Sequence, residues 1–322
     1  MKNYRNIRLM VKCSKMYYEE NMNQIEIGKK LGVSKATISR ILTSARKEGI
    51  VKISVVNPLS HENLEIEKEL EKLFGLQEVV VVQVASNDIE DIKKSIAREA
   101  AYILERILKP QMLIGVGNGS TLEKVSQYVE NYKSNDFTFV PMVGGNGQIN
   151  ANIQSNNIAQ SFAKSFKAHY KILHAPAMVK SLEIKESFIQ DSGIRSILNL
   201  TEKLDVGIVG IGSSDLETTV RILTEYISQE ELLDLRKKGA VADICNKFMD
   251  SQGKGDFEVN ENVIGIDLED LIKIPCVIGV AGHSKKSDAI ISAIKSGLIN
   301  ILVTDYDTAN IILKKRKEEI YG

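Results

Sequence analysis

Apolar residues along this 322-residue chain follow two different periods, and the change from one to the other divides it. Over roughly the first 56 residues the spacing is helical. Ile27 and Leu31 mark the inner face of a short helix, Gly32 permits a tight turn, and Val33 tucks beneath it. Ser34 then stands at an N-cap position before Ile38, Ile41, Leu42 and Ala45. That i, i+3, i+4, i+7 stripe predicts a second helix, which Gly49 closes. A preceding helix around Arg5 to Glu20 is predicted to add Ile7, Met10, Val11 and Tyr17 to the same small core. Gly28 falls where the two later helices approach most closely, so only a small side chain fits there. Residues 50–56, IVKISVV, suit a short β-wing or the lead into a linker.

From about residue 57 the pattern changes. NPLSHENLEIEKELEKLFG reads as a turn and an amphipathic helix closed by Gly75. Apolar β-type runs follow at 78–84, 111–117, 137–143, 204–211, 274–281 and 299–304, with helical segments between most of them. Strands alternating with helices imply a mainly parallel sheet covered on both faces. The expectation is a helix-turn-helix domain over residues 1–56 and one larger Rossmann-like α/β domain over 57–322.

Charge sharpens the first of these. The net charge is zero, yet residues 1–56 hold 12 Lys/Arg against 4 Asp/Glu, and the remainder holds 30 against 38. A basic head on an acidic body points to an anionic partner for the head, such as double-stranded DNA. Ser34, Lys35, Ala36, Thr37, Ser39 and Arg40 form the exposed N-terminal part of the second helix, which enters the major groove in this motif. Thr37, Ser39 and Arg40 suit base edges; Lys35, Arg46 and Lys47 suit phosphates. A trihelical protein-interaction module is the competing reading. Cys13, Cys245 and Cys276 lie far apart, form no CxxC and leave one over, which fits a reducing cytoplasm and no disulfide framework. No His/Cys/Asp grouping has metal-ligand spacing, and His61, His169 and His174 read as surface or core residues. No apolar run is long enough for a membrane span.

In an open α/β sheet, ligands bind at the loops beyond the carboxyl ends of the strands. Those loops here read GNGST, GGNGQ, GSSD, GHSKK and DYDT. Glycines let the backbone approach a ligand closely, and bare N–H groups favour anions. The segment Gly115 to Ser120 resembles the dinucleotide fingerprint G-x-G-x-x-G but puts Ser120 at its last place. The ribose-binding acid expected about 20 residues on has only Asp136 as a candidate, and Asp136 precedes its strand. Ser120 and Thr121 behind two glycines suit a compact phosphate monoester better than NAD.

Taken with the helix-turn-helix, GVGNGSTL, VPMVGGNG…QSN, VGIVGIGS, ADICNKFMD and VAGHSKKSDAIISAIKSGLINILVTDYDTANIIL resemble the SorC/DeoR-type sugar-binding transcriptional regulators over essentially the whole chain. The resemblance implies a bacterial regulator, typically a repressor, with an effector fold like ribose-5-phosphate isomerase and glucosamine-6-phosphate deaminase. It also implies a homodimer or homotetramer, a phosphorylated sugar as effector, and no cofactor. It assigns phosphate binding to the loop Gly117, Asn118, Gly119, Ser120 and Thr121, with Lys286 as the cation. Asp243 would accept from sugar hydroxyls with Lys247 at the basic position of that stretch. Gln154 and Asn156 match a Q-x-N after the double glycine Gly144-Gly145. His283 replaces the usual second glycine of its loop. Val143 stands where many relatives carry Arg or Lys, which argues against a bisphosphate and for a monophosphate.

Catalysis is the rival reading, because GVGNGSTL also resembles the phosphate loop of ribose-5-phosphate isomerase. An enolising enzyme needs a carboxylate base beside the carbon acid. The strand comparable to that of the isomerase ends in VGIVGIGSSD, without the acidic cluster. A sensor is therefore expected, with an isomerase- or deaminase-like enzyme fused to a DNA-binding head as the alternative. A DNA-binding protein with a vestigial pocket is a third class.

Overall fold

A computed structural model describes residues 2–53, 62–129, 136–145, 151–215 and 227–322. The chain divides into two units, residues 1–59 and 60–322.

In the first unit three helices enclose a small core. They are α1 (Lys2–Tyr18), α2 (Gln24–Leu31) and α3 (Lys35–Lys47). Asn23 starts α2 through a capping box: its side-chain oxygen accepts the Ile25 and Glu26 amides, and the Glu26 carboxylate accepts the Asn23 amide. Gly32 closes α2 with φ +68°, a left-handed conformation that favours glycine. Ser34 caps α3 by accepting the Thr37 amide at 3.2 Å. Cys13, Met16, Ile27, Ile38 and Leu42 form the core, with Leu9 and Tyr17 packed on it. Ile7 and Val11 instead lie exposed on α1. Two apolar stripes compete on that helix, and the one through Leu9, Cys13 and Met16 faces α2 and α3. At Gly28 a Cβ would lie 2.6 Å from the Val33 carbonyl oxygen, so the close approach read from the sequence is real. Residues 50–53 form no strand; 54–56 of the expected wing, and His61, lie outside the described residues.

The second unit is built on seven parallel strands. They are β1 (Glu78–Val82), β2 (Leu113–Val116), β3 (Thr138–Pro141), β4 (His169–Tyr170), β5 (Val206–Gly210), β9 (Cys276–Val280) and β10 (Ile301–Asp305). Their spatial order is β1-β10-β9-β5-β2-β3-β4. A separate antiparallel sheet holds β6 (Gly212–Ser213), β7 (Ala240–Ile244) and β8 (Lys247–Asp250). Helices α4 (Glu62–Phe74), α5 (Ile89–Ile107), α6 (Ser120–Val125), α7 (Ser155–Phe166), α8 (Leu182–Gln190), α9 (Ser192–Thr201), α10 (Gln229–Lys237), α11 (Leu268–Leu271), α12 (Ser287–Lys295) and α13 (Tyr306–Tyr321) connect and cover the strands. Two buried apolar clusters sit against the sheet. One runs from Leu70 through Val209 and Ile290, and the other from Ile96 through Phe139 and Phe162. Burial on both faces explains why the strands read as continuous apolar runs.

The strand order positions the site. From β2 the chain steps outward to β3 and β4, then returns to the other side of β2 as β5 and continues to β9 and β10. The carboxyl ends of β2 and β5 therefore flank a topological switch point, the place where open α/β sheets bind ligands.

Candidate functional site

Two loops leave that switch point. After β2, the Gly117 amide donates to the Ile208 carbonyl and the Gly119 amide to the Ile153 carbonyl, both at 2.9 Å. Gly119 has φ +132°, outside the range of an ordinary side chain, and delivers the chain into α6 with Thr121 buried and Ser120 half-buried. At Gly210, on β5, a Cβ would lie 3.1 Å from the Asn118 carbonyl oxygen. The two strand ends are thus in near-contact through backbone alone.

The β7–β8 hairpin lies against the first loop. Its two turn residues, Cys245 and Asn246, have φ +51° and +64°. Paired left-handed residues make the tight hairpin turn that glycine usually occupies. Asn118 donates its side-chain amide to the Asn246 side-chain oxygen at 2.8 Å, and Cys245 Sγ would lie 3.4 Å from a Cβ on Gly117. Burial pushes the Cys245 thiol up to about 12, so it stays protonated. Neither turn residue stands out in the sequence, because DICNKF contains no glycine to announce the turn.

Asp243 reaches the switch point from β7, opposite Gly212 on β6. A Cβ on Gly212 would collide with the Asp243 carboxylate, so glycine makes room for it. Burial raises this carboxyl to about 6, and the nearby Lys286 ammonium opposes the shift. Lys286 follows β9, and its Nζ donates to the Ile211 carbonyl at 2.9 Å, just beyond β5. Burial lowers its pKa, Asp243 raises it, and Lys93 adds a smaller lowering. A cation, a carboxyl group and the Gly117–Thr121 loop therefore converge at the switch point.

His283 sits in the same loop as Lys286 with φ +85°. Its amide donates to Asp305 Oδ2 at 2.7 Å, and its Nδ1 is buried without a hydrogen-bond partner. Asp305 is the last residue of β10, and its carboxylate also takes the Thr308 amide and hydroxyl. Of the DYDT loop, then, the first residue is a buried helix cap.

Other expected ligand residues are engaged elsewhere. Lys247 is 4% exposed and its Nζ bonds Asp267 at 2.7 Å. Strand alternation explains this: Asp243 pairs with Phe248, which leaves Lys247 on the opposite side of the hairpin. Asn156 clamps Leu173, donating to its carbonyl at 3.0 Å and accepting its amide at 2.9 Å. Gly144 and Gly145 run beside residues 175–177: Gly145 accepts the Ala177 amide, and a Cβ on Gly144 would strike the Pro176 and Ala175 carbonyls. Backbone crowding explains the glycine at position 144. Gln154 Oε1 would lie 3.1 Å from a Cβ on Gly145. Val143 is fully buried and bridged to Gly265, so no cation occupies that place. The neighbouring Ser155, absent from the expected set, ties β2 to β3 by donating to the Val116 carbonyl and accepting the Met142 amide.

On the first unit, Ser34, Lys35, Ala36, Ser39, Arg40, Arg46 and Lys47 are exposed. Thr37 is half-buried and shares its hydroxyl with Ser34 at 2.9 Å, so its polar atom serves the cap. Thr43, exposed between Ser39 and Lys47, lies on this surface with its hydroxyl donating to the Ser39 carbonyl, and the sequence reading passed over it. No helix among the described residues is long and apolar enough to cross a membrane. Those residues also contain no cluster suited to a metal ion.

Comparison with known proteins agrees with both units. Residues 60–314 match the sugar-binding domain family (Sugar-bind), and residues 14–48 match Sigma-70 region 4. The sorbitol operon regulator of Klebsiella pneumoniae is 32% identical over 98% of this chain and 100% of its own length. The transcriptional regulator LsrR of Enterobacter sp. (strain 638) is 31% identical over 95% of this chain and 92% of its own. The crystal structure of full-length SorC from Klebsiella pneumoniae aligns with TM-score 0.74 at 30% identity, covering 96% of this chain and 99% of that one. A DeoR family transcriptional regulator from Listeria monocytogenes aligns with TM-score 0.72 at 32% identity over 78% of this chain and 100% of that one. The chain belongs to the SorC/DeoR-type family of sugar-binding transcriptional regulators.

Proposed function

We propose that the protein is a repressor whose affinity for double-stranded operator DNA is set by a sugar monophosphate bound at the switch point. The supporting observation is the convergence of Lys286, Asp243 and the Gly117–Thr121 loop at the ends of β2, β5 and β9. Lys286 supplies one positive charge for a phosphate, glycine-lined backbone admits its oxygens, and Asp243 accepts from sugar hydroxyls. Buried Val143 leaves no cation at the double-glycine strand end, which favours one phosphate over two.

Contact with DNA falls to α3. Ser39 and Arg40 suit base edges, while Lys35, Arg46 and Lys47 suit phosphates. Two such heads in a homodimer or homotetramer would grip a repeated or palindromic operator. The effector acts by binding one arrangement of the protein better than another. A thermal-shift panel of sugar phosphates against the unphosphorylated sugars tests this reading: stabilisation by the phosphorylated members alone is expected. An unchanged melt across the panel would favour a vestigial pocket, and steady turnover of a sugar phosphate would favour the enzyme.

A further inference from the structure

The Lys286 loop is tied to α13 at two points. Asp305 caps α13 through the Thr308 amide and hydroxyl, and the same carboxylate holds the His283 amide. Directly after Lys286, Ser287 and Asp288 receive Lys315 Nζ from α13 at 3.1 and 2.6 Å. Displacement of the loop by a ligand therefore acts directly on the cap and on the middle of this helix.

The far half of α13 holds α4. Lys317 pairs with Glu69 at 2.7 Å, the Arg316 guanidinium donates to the Leu73 carbonyl at 3.4 Å, and it lies 5.1 Å from the centre of the Phe74 ring. Arg316 Nε is buried without a partner, so the anchor is incompletely satisfied. On its other side α4 is held by polar contacts to the edge strand β1. Glu71 and Glu67 accept the Val79 and Val81 amides, and Asn63 donates to the Val81 carbonyl. In sequence, α4 follows directly on the residues that lead out of the DNA-binding unit.

We infer that α13 is the transmission element of this regulator, reading the Lys286 loop through Asp305 and Lys315 and setting the docking of α4 through Arg316 and Lys317. This rests on the proposed effector site only for the identity of the input. An α-helix of sixteen residues spans about 24 Å, enough to carry a small displacement from loop to anchor as a rigid body. The anchor suits a switch because it combines exposed ion pairing, worth little individually, with an unsatisfied buried nitrogen.

Hydrogen exchange on the full chain tests the inference without needing the natural effector. Asp305→Asn loosens the loop-to-helix tie and should speed exchange across residues 62–74 by roughly three- to tenfold, with residues 155–166 unchanged. Phe162→Leu, which weakens the opposite core, should leave 62–74 alone. Lys317→Glu should make α4 exchange fast already and insensitive to Asp305→Asn; adding Glu69→Lys should restore the response. An α4 indifferent to Asp305→Asn, or equally sensitive to Phe162→Leu, would overturn the inference. Inorganic phosphate at millimolar concentration provides a second arm. Protection of the Gly117–Thr121 and His283–Lys286 loops together with altered exchange in α4 is expected, and Lys317→Glu should remove only the second effect. Protected loops with an unresponsive α4 would sink the relay and leave the site reading standing. Absence of loop protection would instead count against the phosphate site, with the substitution arm still deciding the relay.

Discussion

Asn118 and Asn246 meet side chain to side chain at 2.8 Å, joining the loop after β2 to the turn of the β7–β8 hairpin. The bond holds a turn whose two residues both lie in the left-handed region. Removing one partner of a buried hydrogen bond strands the other, at about 1–3 kcal/mol. Asn118→Ala should therefore lower the Tm by several degrees. Asn246→Gly removes the stranded partner and relieves the backbone, so its loss should be smaller. Thermal unfolding of the two variants checks the order; the reverse order would show that the bond does not hold the turn.

Lys286→Ala should leave operator affinity intact and abolish stabilisation by sugar phosphates. Arg40→Ala should do the opposite. Operator titrations and thermal shifts on both proteins measure the separation, and loss of both functions in either variant contradicts it. Affinity should also fall steeply with salt, as expected when Lys35, Arg46 and Lys47 neutralise phosphates.

Lys247 provides a test of position against chemistry. Its ammonium is buried against Asp267, which is itself 60% exposed at the side chain. Asp267→Ala removes the charge partner of a buried ammonium that then keeps only the Asn260 carbonyl, a loss of about 1–3 kcal/mol. Lys247→Met replaces that cation with an apolar chain of similar length and leaves Asp267 in water, so its cost should be smaller. Both variants should retain the sugar-phosphate response. Loss of the response in a folded Lys247→Met protein would return this residue to the binding site.

The Asp243 carboxyl, raised from 3.8 to about 6, makes a pH-dependent contribution. Between these values the folded chain keeps a proton that the unfolded chain has released, so stability falls as pH rises through that window. Above it the buried carboxylate is a standing penalty of at most about 3 kcal/mol. Asp243→Asn should therefore stabilise the protein at pH 7.5 relative to the parent, with the gap closing below about pH 4. Denaturant midpoints at the two pH values measure it, and a gap that widens in acid would reverse the sign of this argument.

Gly28→Ala should destabilise the DNA-binding unit. Alanine gains about 1 kcal/mol of helix propensity, but its Cβ would press on the Val33 carbonyl at 2.6 Å. Overpacking costs about 1–3 kcal/mol. A lower helix content on heating, with weaker operator binding, is the expected result; a more stable head would show that the turn yields easily.

The five inner strands β2, β3, β5, β9 and β10 were legible because they are buried on both faces and read as unbroken apolar runs, and β1, though an alternately half-buried edge strand, is still nearly all valine. β4 was not, since His169 and Tyr170 are two exposed residues at an edge. The β6–β8 sheet escaped notice for a similar reason: short strands joined by a turn without glycine leave no periodic trace. Among the candidate site residues, the Gly117 loop and Lys286 follow the ends of β2 and β9, whereas Asp243 reaches them from β7 in the second sheet. The engagements of Asn156 with Leu173 and of Lys247 with Asp267 depend on partners distant in sequence, which no local spacing reveals. On α1, two apolar stripes were available, and only packing against α2 and α3 distinguishes Cys13 and Met16 from Ile7 and Val11.

The pairing of β1 with β10, which sets Glu78 opposite Ile301, carries a consequence for synthesis. The core contacts described within the three-helix head are local, so that unit can acquire its shape soon after it leaves the ribosome. The sheet cannot close until residues near position 305 have emerged, and contacts of such separation form slowly. A nascent chain is therefore expected to carry a finished DNA-reading head for an interval before its sensor exists.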